Sequence, residues 1–331
     1  MSSPPLPEHP VISKVTPCVD QTLPRVELIG AVTAPGGNGP TNGMFALQQA
    51  LRDRIEDGLH WLSIQPTPQS QRELPWFWCW EHRTLAVEWA TDNLPFVQGP
   101  NVLFTDSRQP RIDADERTLL DAGSCRLMFC HSEWYRNLIC EHRGPNNRSP
   151  IALWPYPIEP KPGGPLTAEF DLLIYLKSGY SPAFVDYLAG QFPKHVKVQY
   201  GAYQREQLGE LARRSRACVY LSDNESGGMA VAEMLLAGCP VVGMPTGAPF
   251  VRAGRTGFLV DSLLASAFRS ERNDVSTLRS AIVEVIRAAH TLDRHAVRNE
   301  SLHQFSTETI VDQVVEALDF ARRSTSTIDR R

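Results

Sequence analysis

The sequence lacks the short motifs that would assign it to several common classes of enzyme. Its seven cysteines are odd in number and include no CxxC pair, so the sequence predicts neither a disulfide framework nor a zinc site. HExxH, an Asp-rich metal loop, GxSxG, a P-loop ending in GK[ST] and GxGxxG are also absent. These absences argue against a zinc protease, a Ser-His-Asp hydrolase, a P-loop NTPase and a standard dinucleotide-binding enzyme, and we expect no metal site.

Charge and hydrophobicity are spread along the chain rather than collected in blocks. Lysine and arginine number 33 against 37 aspartates and glutamates, and no basic cluster stands out, so we expect no nucleic-acid partner. No apolar stretch approaches the ~20 residues that span a bilayer, and the N-terminus lacks the pattern of a signal peptide. We therefore expect a cytoplasmic protein with reduced cysteines and no transmembrane segment.

The length of 331 residues predicts two domains, because single domains commonly hold ~100–200 residues. Residues 1–22 are rich in proline and serine and are interpreted as a flexible tail. The segment 154–164 carries four prolines and two glycines, which favours a semi-rigid linker rather than a regular element. We predict an N-terminal domain over 23–157 and a C-terminal domain over 158–303, with a helix at 304–323 packing back on the first domain.

Short apolar runs alternate with helical patterns in both halves, which predicts an α/β fold of parallel sheets covered on both faces. Thr41 and Asn42 are candidate caps of the first helix, and 75–89 is interpreted as mixed loop and helix. The predicted strands are 23–32, 60–64, 102–105, 126–130, 171–176, 196–200, 217–221, 240–244 and 257–260. The further predicted helices are 182–192, 205–215, 229–237, 274–289 and 308–322.

The stretch 219–242 carries the most specific chemical pattern. Glu225 follows a predicted strand, at the edge where open α/β sheets bind ligands. Gly227 and Gly228 open the next helix, where backbone N–H groups and the helix dipole favour an anion such as a diphosphate. Glu233 lies one to two turns into that helix. The pattern predicts an anion at the helix mouth, with two carboxylates available to accept hydroxyl groups.

This stretch resembles the donor site of retaining GT-B glycosyltransferases, especially family 4, in which two glutamates separated by seven residues precede Gly-x-Pro-Val-Val. The resemblance implies a GT-B fold, in which two Rossmann-like domains with parallel sheets face each other across a cleft. It implies that Glu225 binds the donor sugar and Glu233 the ribose, with Gly227, Gly228 and Met229 also at the donor. The alternative is a surface helix with a salt-bridged Glu233 and glycines that only form a turn.

Other segments are similar to the same family. Gly36 and Gly37 resemble its N-terminal Gly-rich loop, which faces the donor phosphates. Ser132 lies at a strand-to-helix turn of the family type and is either a donor ligand or a helix N-cap. The segment 256–260 resembles the strand that closes the donor domain.

The sequence departs from the family at three places. Of an expected arginine and lysine after the first strand of the second domain, only Lys177 is available to neutralise the leaving diphosphate. In the family, a histidine that follows a middle strand of the first domain contacts the donor sugar. No histidine follows 102–105 here, so Asp106, as a candidate catalytic residue, or Arg108 could take its place, and His82 and His131 are alternatives. The segment 248–251 replaces the family's Gly-x-x-Glu.

The resemblance implies a metal-independent, retaining hexosyltransferase without a cofactor. Its donor would be a nucleotide-diphosphate sugar, and its acceptor a glycan, a lipid or a small molecule. Two alternatives stay open, namely a sugar-nucleotide epimerase and a catalytically degenerate relative that still binds nucleotide sugars. The aromatic cluster of Trp76, Phe77, Trp78 and Trp80 is either core or the lining of an acceptor cleft.

Overall fold

The computed structural model describes residues 23–29, 39–65, 76–79, 83–100, 103, 112–158, 164–225, 227–271 and 275–328. Several predictions lie outside the described residues. These are the tail 1–22, the glycines Gly36 and Gly37, and the candidate polar residues His82, Asp106 and Arg108.

The first half of the described chain forms a sheet of six parallel strands in the order β2-β1-β3-β4-β5-β6. Its strands are β1 (Val26–Ile29), β2 (Leu62–Gln65), β3 (Trp76–Cys79), β4 (Phe96–Gln98), β5 (Cys125–Cys130) and β6 (Ile151–Leu153). The helices between them are α1 (Gly39–Glu56), α2 (Arg83–Thr91), α3 (Ala114–Asp121) and α4 (Glu133–His142).

The second half, as far as it is described, forms a sheet of five parallel strands in the order β11-β10-β9-β7-β8. The strands are β7 (Phe170–Leu176), β8 (His195–Gln199), β9 (Ser215–Leu221), β10 (Val241–Gly243) and β11 (Gly257–Leu259). The helices are α5 (Pro182–Gln191), α6 (Arg205–Arg214), α7 (Met229–Leu236), α8 (Ser262–Arg269), α9 (Ser276–Ala289), α10 (Arg294–Phe305) and α11 (Thr307–Ile328).

The central strands of the second sheet, β7 and β9, are buried on both faces because they are apolar at successive positions over most of their length. On β7, Leu173 and Tyr175 enter one apolar cluster while Leu172 and Ile174 enter the other. Side chains of a strand alternate between faces, and a parallel sheet covered by helices on both sides needs apolar residues at both sets of positions. The parallel α/β architecture expected from the sequence is therefore confirmed.

The last helix packs against the first sheet rather than the second. Ile310, Val314 and Leu318 of α11 are buried in the same cluster as residues of β1 and α1. Near the end of α11, the Arg322 guanidinium donates to the Pro24 carbonyl at 2.5 Å and lies 4.2 Å from the centre of a tryptophan ring in the first half.

The proline-rich connection is packed where it is described. Residues 154–158 form no helix or strand, yet Trp154, Tyr156 and Ile158 are all buried. The Ile158 N–H donates to the Phe305 carbonyl at 3.0 Å, which ties the connection to the end of α10.

The structure corrects several predictions in the first half. Strand β3 occupies part of 75–89, and Trp76 and Trp78 are buried in the core, so these two rings line no acceptor cleft. Helix α1 begins at Gly39, and Thr41 and Asn42 are therefore helical residues rather than caps.

Other corrections concern strands and helices that the sequence patterns did not indicate. The predicted strand 102–105 lies mostly outside the described residues, and its described member, Leu103, is buried in a bend. The neighbouring strand β4 lies earlier in the chain. The predictions also omitted β6, α3, α8 and α10. None of the helices in the described part combines the length and hydropathy needed to cross a membrane.

Candidate functional site

The centre of the second sheet contains the point where the chain changes direction of winding. From β7 the chain passes to β8 on one side, and it then returns to β9 on the other side of β7. The carboxyl ends of β7 and β9 therefore border a crevice of the type in which open α/β sheets bind ligands. Lys177 follows β7, Glu225 follows β9, and the Lys177 N–H donates to the Leu221 carbonyl at 2.9 Å.

Lys177 and Glu225 form an ion pair across this crevice. The Lys177 Nζ donates to Glu225 Oε1 at 2.5 Å and lies 4.7 Å from the centre of the Tyr200 ring. The Tyr220 hydroxyl donates to the same oxygen at 2.6 Å. Burial raises the pKa of Tyr220 well above its usual value, so this hydroxyl stays protonated. Among the described residues, Glu225 Oε2 has no hydrogen-bond partner.

The N-terminus of α7 opens beside Glu225 without a side-chain cap. Gly228 is the N-cap residue, with φ of 47° and ψ of 31°, a left-handed conformation that suits glycine. A Cβ at Gly228 would lie 2.9 Å from a Phe250 ring carbon. Because the first N–H groups of a helix lack intrahelical acceptors, the mouth of α7 presents donors to an anion.

The first sheet contributes aromatic side chains to the same place. His131 follows β5, and its ring lies 4.1 Å from the Tyr156 ring, centre to centre. A Cβ at Gly227 would lie 2.7 Å from Tyr156 Cε2 and 3.7 Å from His131 Cδ2. Glycine at 227 therefore allows the mouth of α7 to approach residues that follow the first sheet.

Burial keeps the His131 imidazole neutral. It lowers the pKa of His131 to about 4, so the ring carries one proton near pH 7. His131 Nδ1 lies 2.8 Å from the Trp154 carbonyl oxygen. Because a carbonyl only accepts, that proton is on Nδ1, and Nε2 carries a lone pair.

Glu233 and Met229 lie along α7. Burial raises the pKa of Tyr203 to about 12, and the negative charge of nearby Glu233 adds to this shift. The half-buried Glu233 is thus close to Tyr203, whose hydroxyl lies 2.8 Å from that of Tyr175. Met229 packs against apolar clusters of both halves.

Comparison with solved structures identifies the fold. No model of a known protein family matches the sequence, and no curated protein does. Sucrose-phosphate synthase from Thermosynechococcus elongatus superposes with a TM-score of 0.57 at 14% identity, over 89% of this chain and 98% of its own. The lipopolysaccharide outer core galactosyltransferase WaaB gives 0.56 at 9% identity, over 89% and 99%. Anabaena HepE in complex with UDP and glucose gives 0.53 at 13% identity, over 89% and 99%.

The chain has the GT-B fold. The fold class expected from the motif resemblance is thereby confirmed, with two Rossmann-like domains built on parallel sheets. At such low identity the likeness covers the fold alone, and the activity of this GT-B chain has to be argued from its own site.

Six of the sequence-predicted site residues come together in this GT-B structure. They lie at the crevice or along α7, and they are Lys177, Glu225, Gly227, Gly228, Met229 and Glu233. The Ser132 hydroxyl accepts from the Tyr135 N–H at 3.3 Å, which is the helix-cap alternative. A role for Ser132 in donor binding stays a prediction, as do the roles of Asp106, Gly36 and Gly37.

The predicted site residues did not include the tyrosines around the candidate site. Tyr220 bonds Glu225, Tyr200 lies beneath Lys177, and Tyr203 lies near Glu233. A signal was present for Tyr220, because a tyrosine inside an otherwise apolar buried strand needs a partner for its hydroxyl. Over the residues that the structure describes, no group of three His, Cys, Asp or Glu side chains could hold a metal ion.

Proposed function

We propose that this protein is a glycosyltransferase that moves a sugar from a nucleotide-diphosphate sugar to an acceptor hydroxyl without a metal ion. One observation carries the proposal, namely that Glu225 is bonded through a single oxygen to Lys177 and Tyr220 beside the uncapped mouth of α7. Positive charge, backbone donors and an available carboxylate oxygen thus adjoin one crevice. These are the groups that a diphosphate linked to a sugar requires.

The diphosphate would be bound by α7 and Lys177. The N–H groups and the dipole at the start of α7 favour negative charge. An ammonium group has three N–H bonds, and among the described residues Lys177 Nζ donates to Glu225 alone. Lys177 can therefore donate to phosphate oxygens while it keeps its bond to Glu225.

The carboxylates would bind the hydroxyls of the donor. Glu225 Oε2 would accept from the sugar, and Glu233, farther along α7, from the ribose. Tyr200 would lie beside the nucleotide, because its ring is exposed next to Lys177.

In the transfer step, the bond from the anomeric carbon to the diphosphate oxygen breaks, and a bond to the acceptor oxygen forms. The transition state has oxocarbenium character, and negative charge grows on the leaving diphosphate, which takes up the acceptor's proton. Lys177 and the backbone of α7 would stabilise that charge. We further propose a hexosyl donor, retention of anomeric configuration and an acceptor bound by the first domain, all on the motif resemblance alone.

The proposal is tested first by a thermal-shift screen of UDP, GDP, ADP and TDP and of their common sugar derivatives, with and without Mg²⁺. A ligand present at ~100 times its dissociation constant stabilises the folded state by about 2.7 kcal/mol, which raises Tm by several degrees. We expect one nucleotide to do so without Mg²⁺. A shift that requires Mg²⁺ would contradict metal independence, and no shift with any nucleotide would overturn the proposed activity.

Substitution of Glu233 tests the ribose contact. We expect Glu233→Gln to weaken binding of the nucleotide diphosphate by about tenfold, because a hydrogen bond to a charged group contributes ~1.5–3 kcal/mol. Calorimetric titration measures the change. The matched control is Glu284→Gln on α9, where the carboxylate is exposed and pairs with Arg287. Equal affinities of Glu233→Gln and the unaltered protein would remove the ribose assignment.

A further inference from the structure

Two stacked tyrosines lie beneath the candidate donor site. Tyr175 of β7 and Tyr220 of β9 are register partners in the sheet, and both are almost fully buried. Their rings are stacked with centres 4.6 Å apart and planes inclined by 8°. The stack is held by the pairing of the two strands, so each hydroxyl has a defined position.

The two hydroxyls have different partners. That of Tyr220 donates to Glu225 Oε1 at 2.6 Å, whereas that of Tyr175 lies 2.8 Å from the Tyr203 hydroxyl. Apolar packing and ring stacking need no hydroxyl, and phenylalanine would supply both. A buried hydroxyl aimed at the carboxylate of Glu225 therefore has a role beyond filling the core.

The hydroxyl of Tyr220 restricts the carboxylate rather than neutralising it. Lys177 Nζ already pairs with Glu225 Oε1, and Tyr220 adds a second donor to that oxygen from inside the sheet. Two donors from different directions oppose rotation of the carboxylate. The Glu225 carboxylate is therefore held in one orientation, in which Oε2 has no hydrogen-bond partner among the described residues.

We propose that Tyr220 is a positioning residue, which holds the Glu225 carboxylate so that Oε2 accepts from the sugar of a nucleotide-diphosphate sugar. This rests on the proposed function. Tyr220 acts through Glu225 on the sugar and contributes little to binding of the nucleotide. Tyr175 supports the ring of Tyr220 and orients Tyr203.

The experiment compares Tyr220→Phe with Tyr175→Phe, which removes the hydroxyl of the stacked partner ring and retains the stack. Titration calorimetry measures affinities for UDP and UDP-glucose, and for GDP, ADP or TDP with their sugar derivatives if the screen selects those. We expect Tyr220→Phe to lose about tenfold in affinity for the nucleotide sugar, since it removes one hydrogen bond to a charged group. The affinity of Tyr220→Phe for the nucleoside diphosphate without the sugar should not change. Tyr175→Phe should keep the ratio of nucleotide-sugar affinity to nucleoside-diphosphate affinity that the unaltered protein has.

A second comparison places Tyr220→Phe in a Glu225→Gln background. If Tyr220 acts through Glu225, the double variant binds the nucleotide sugar no more weakly than Glu225→Gln alone. A further loss in the double variant would overturn the proposal. The proposal would also be overturned if Tyr220→Phe kept the ratio of nucleotide-sugar affinity to nucleoside-diphosphate affinity. The same holds if Tyr220→Phe and Tyr175→Phe both lost affinity equally for the two ligands.

The remaining outcomes separate this proposal from the proposed function. If the unaltered protein binds no nucleotide, both fail. If it binds nucleotides and Tyr220→Phe does not alter the ratio, only the positioning role fails. Circular dichroism and Tm check the fold, and a Tyr220→Phe chain that does not fold while Tyr175→Phe does would assign the hydroxyl to the fold and overturn the proposal.

Discussion

Replacing Lys177 by methionine is expected to lower kcat for sugar transfer by about 10²-fold, the usual effect of removing one group that stabilises developing negative charge. The charge in question is that of the departing diphosphate. Methionine retains much of the apolar stem of lysine, and it removes the ammonium group that pairs with Glu225 and lies over Tyr200. The effect on kcat should exceed the effect on nucleotide affinity, because charge on the leaving group increases in the transition state.

Two further variants separate this role of Lys177 from its pairing with Glu225. Lys177→Arg keeps the positive charge and should retain more activity than Lys177→Met. Lys197→Met is the matched control, since Lys197 lies on β8 in an ion pair with Asp186 at 3.6 Å, outside the crevice. Steady-state rates of nucleotide release measure kcat with the acceptor present. A Lys177→Met protein with the kcat of the control would exclude Lys177 from leaving-group stabilisation.

The second half of the fold was predictable because its signals are local. Strands β7 and β9 each end in five successive apolar residues, as expected of buried parallel strands, and they begin and end within two residues of the predicted bounds. Helix α7 ends where Gly238 takes a φ of 73°, a conformation that favours glycine at a helix C-terminus. Each of these features can be identified within about ten residues of sequence.

The first half was harder because its elements are short or ambiguous. Strand β4 has three residues, too few to show a period. Strand β3 is a run of three aromatic residues and a cysteine, which apolar content alone does not distinguish from a helix segment. In the second half, α10 was missed because charged and polar residues occupy most of its positions, and tertiary packing rather than periodicity makes it helical.

Part of the candidate site could be predicted from local sequence patterns, and part depends on contacts between distant segments. Glu225, Gly228 and Glu233 lie within one strand-loop-helix unit, so their spacing was sufficient to predict their proximity. The ion pair of Lys177 with Glu225 depends on β7 lying next to β9, which no local pattern states. Lys177 therefore bonds the Glu225 carboxylate and also faces the candidate phosphate site. This double role could be recognised only once the strand order was known.

The packing of residues that follow the first sheet against the start of α7 could not be predicted from the sequence either. His131 and Tyr156 are separated along the chain from Gly227, and their packing against it depends on how the two sheets are arranged. His131 was one of two alternative histidines in the sequence, and no sequence pattern indicated that burial holds its ring neutral.

The largest expected effect on stability concerns Arg294, at the first position of α10. Its guanidinium donates to four backbone carbonyls, those of Thr167, Ala212, Arg213 and Gly238. Three of these carbonyls lie at the C-terminal ends of α6 and α7, at the negative end of each helix dipole, and those of Ala212 and Arg213 also accept the backbone N–H groups of Ser215 and Thr167. One side chain thus joins the ends of two helices that cover the same face of the second sheet.

We expect Arg294→Met to lower the free energy of unfolding by about 3 kcal/mol, because hydrogen bonds to a charged group contribute ~1.5–3 kcal/mol each and water replaces part of the loss at this half-buried site. Such a loss corresponds to a fall in Tm of roughly 6–12 °C. Burial lowers the pKa of Arg294, yet the group stays charged at neutral pH. The loss should therefore be the same from pH 6 to pH 8.

Arg298→Met is the control for Arg294→Met, since Arg298 lies on the same helix and makes no ion pair or side-chain hydrogen bond with the described residues. Urea unfolding and differential scanning calorimetry measure both variants. The free energy of unfolding of Arg294→Lys should lie between those of Arg294→Met and Arg298→Met, because an ammonium group cannot match the planar guanidinium that reaches four carbonyls. Equal stabilities of Arg294→Met and Arg298→Met would mean that water satisfies the ends of α6 and α7 as well as the guanidinium does, and the joint between these helices would then depend on apolar packing alone.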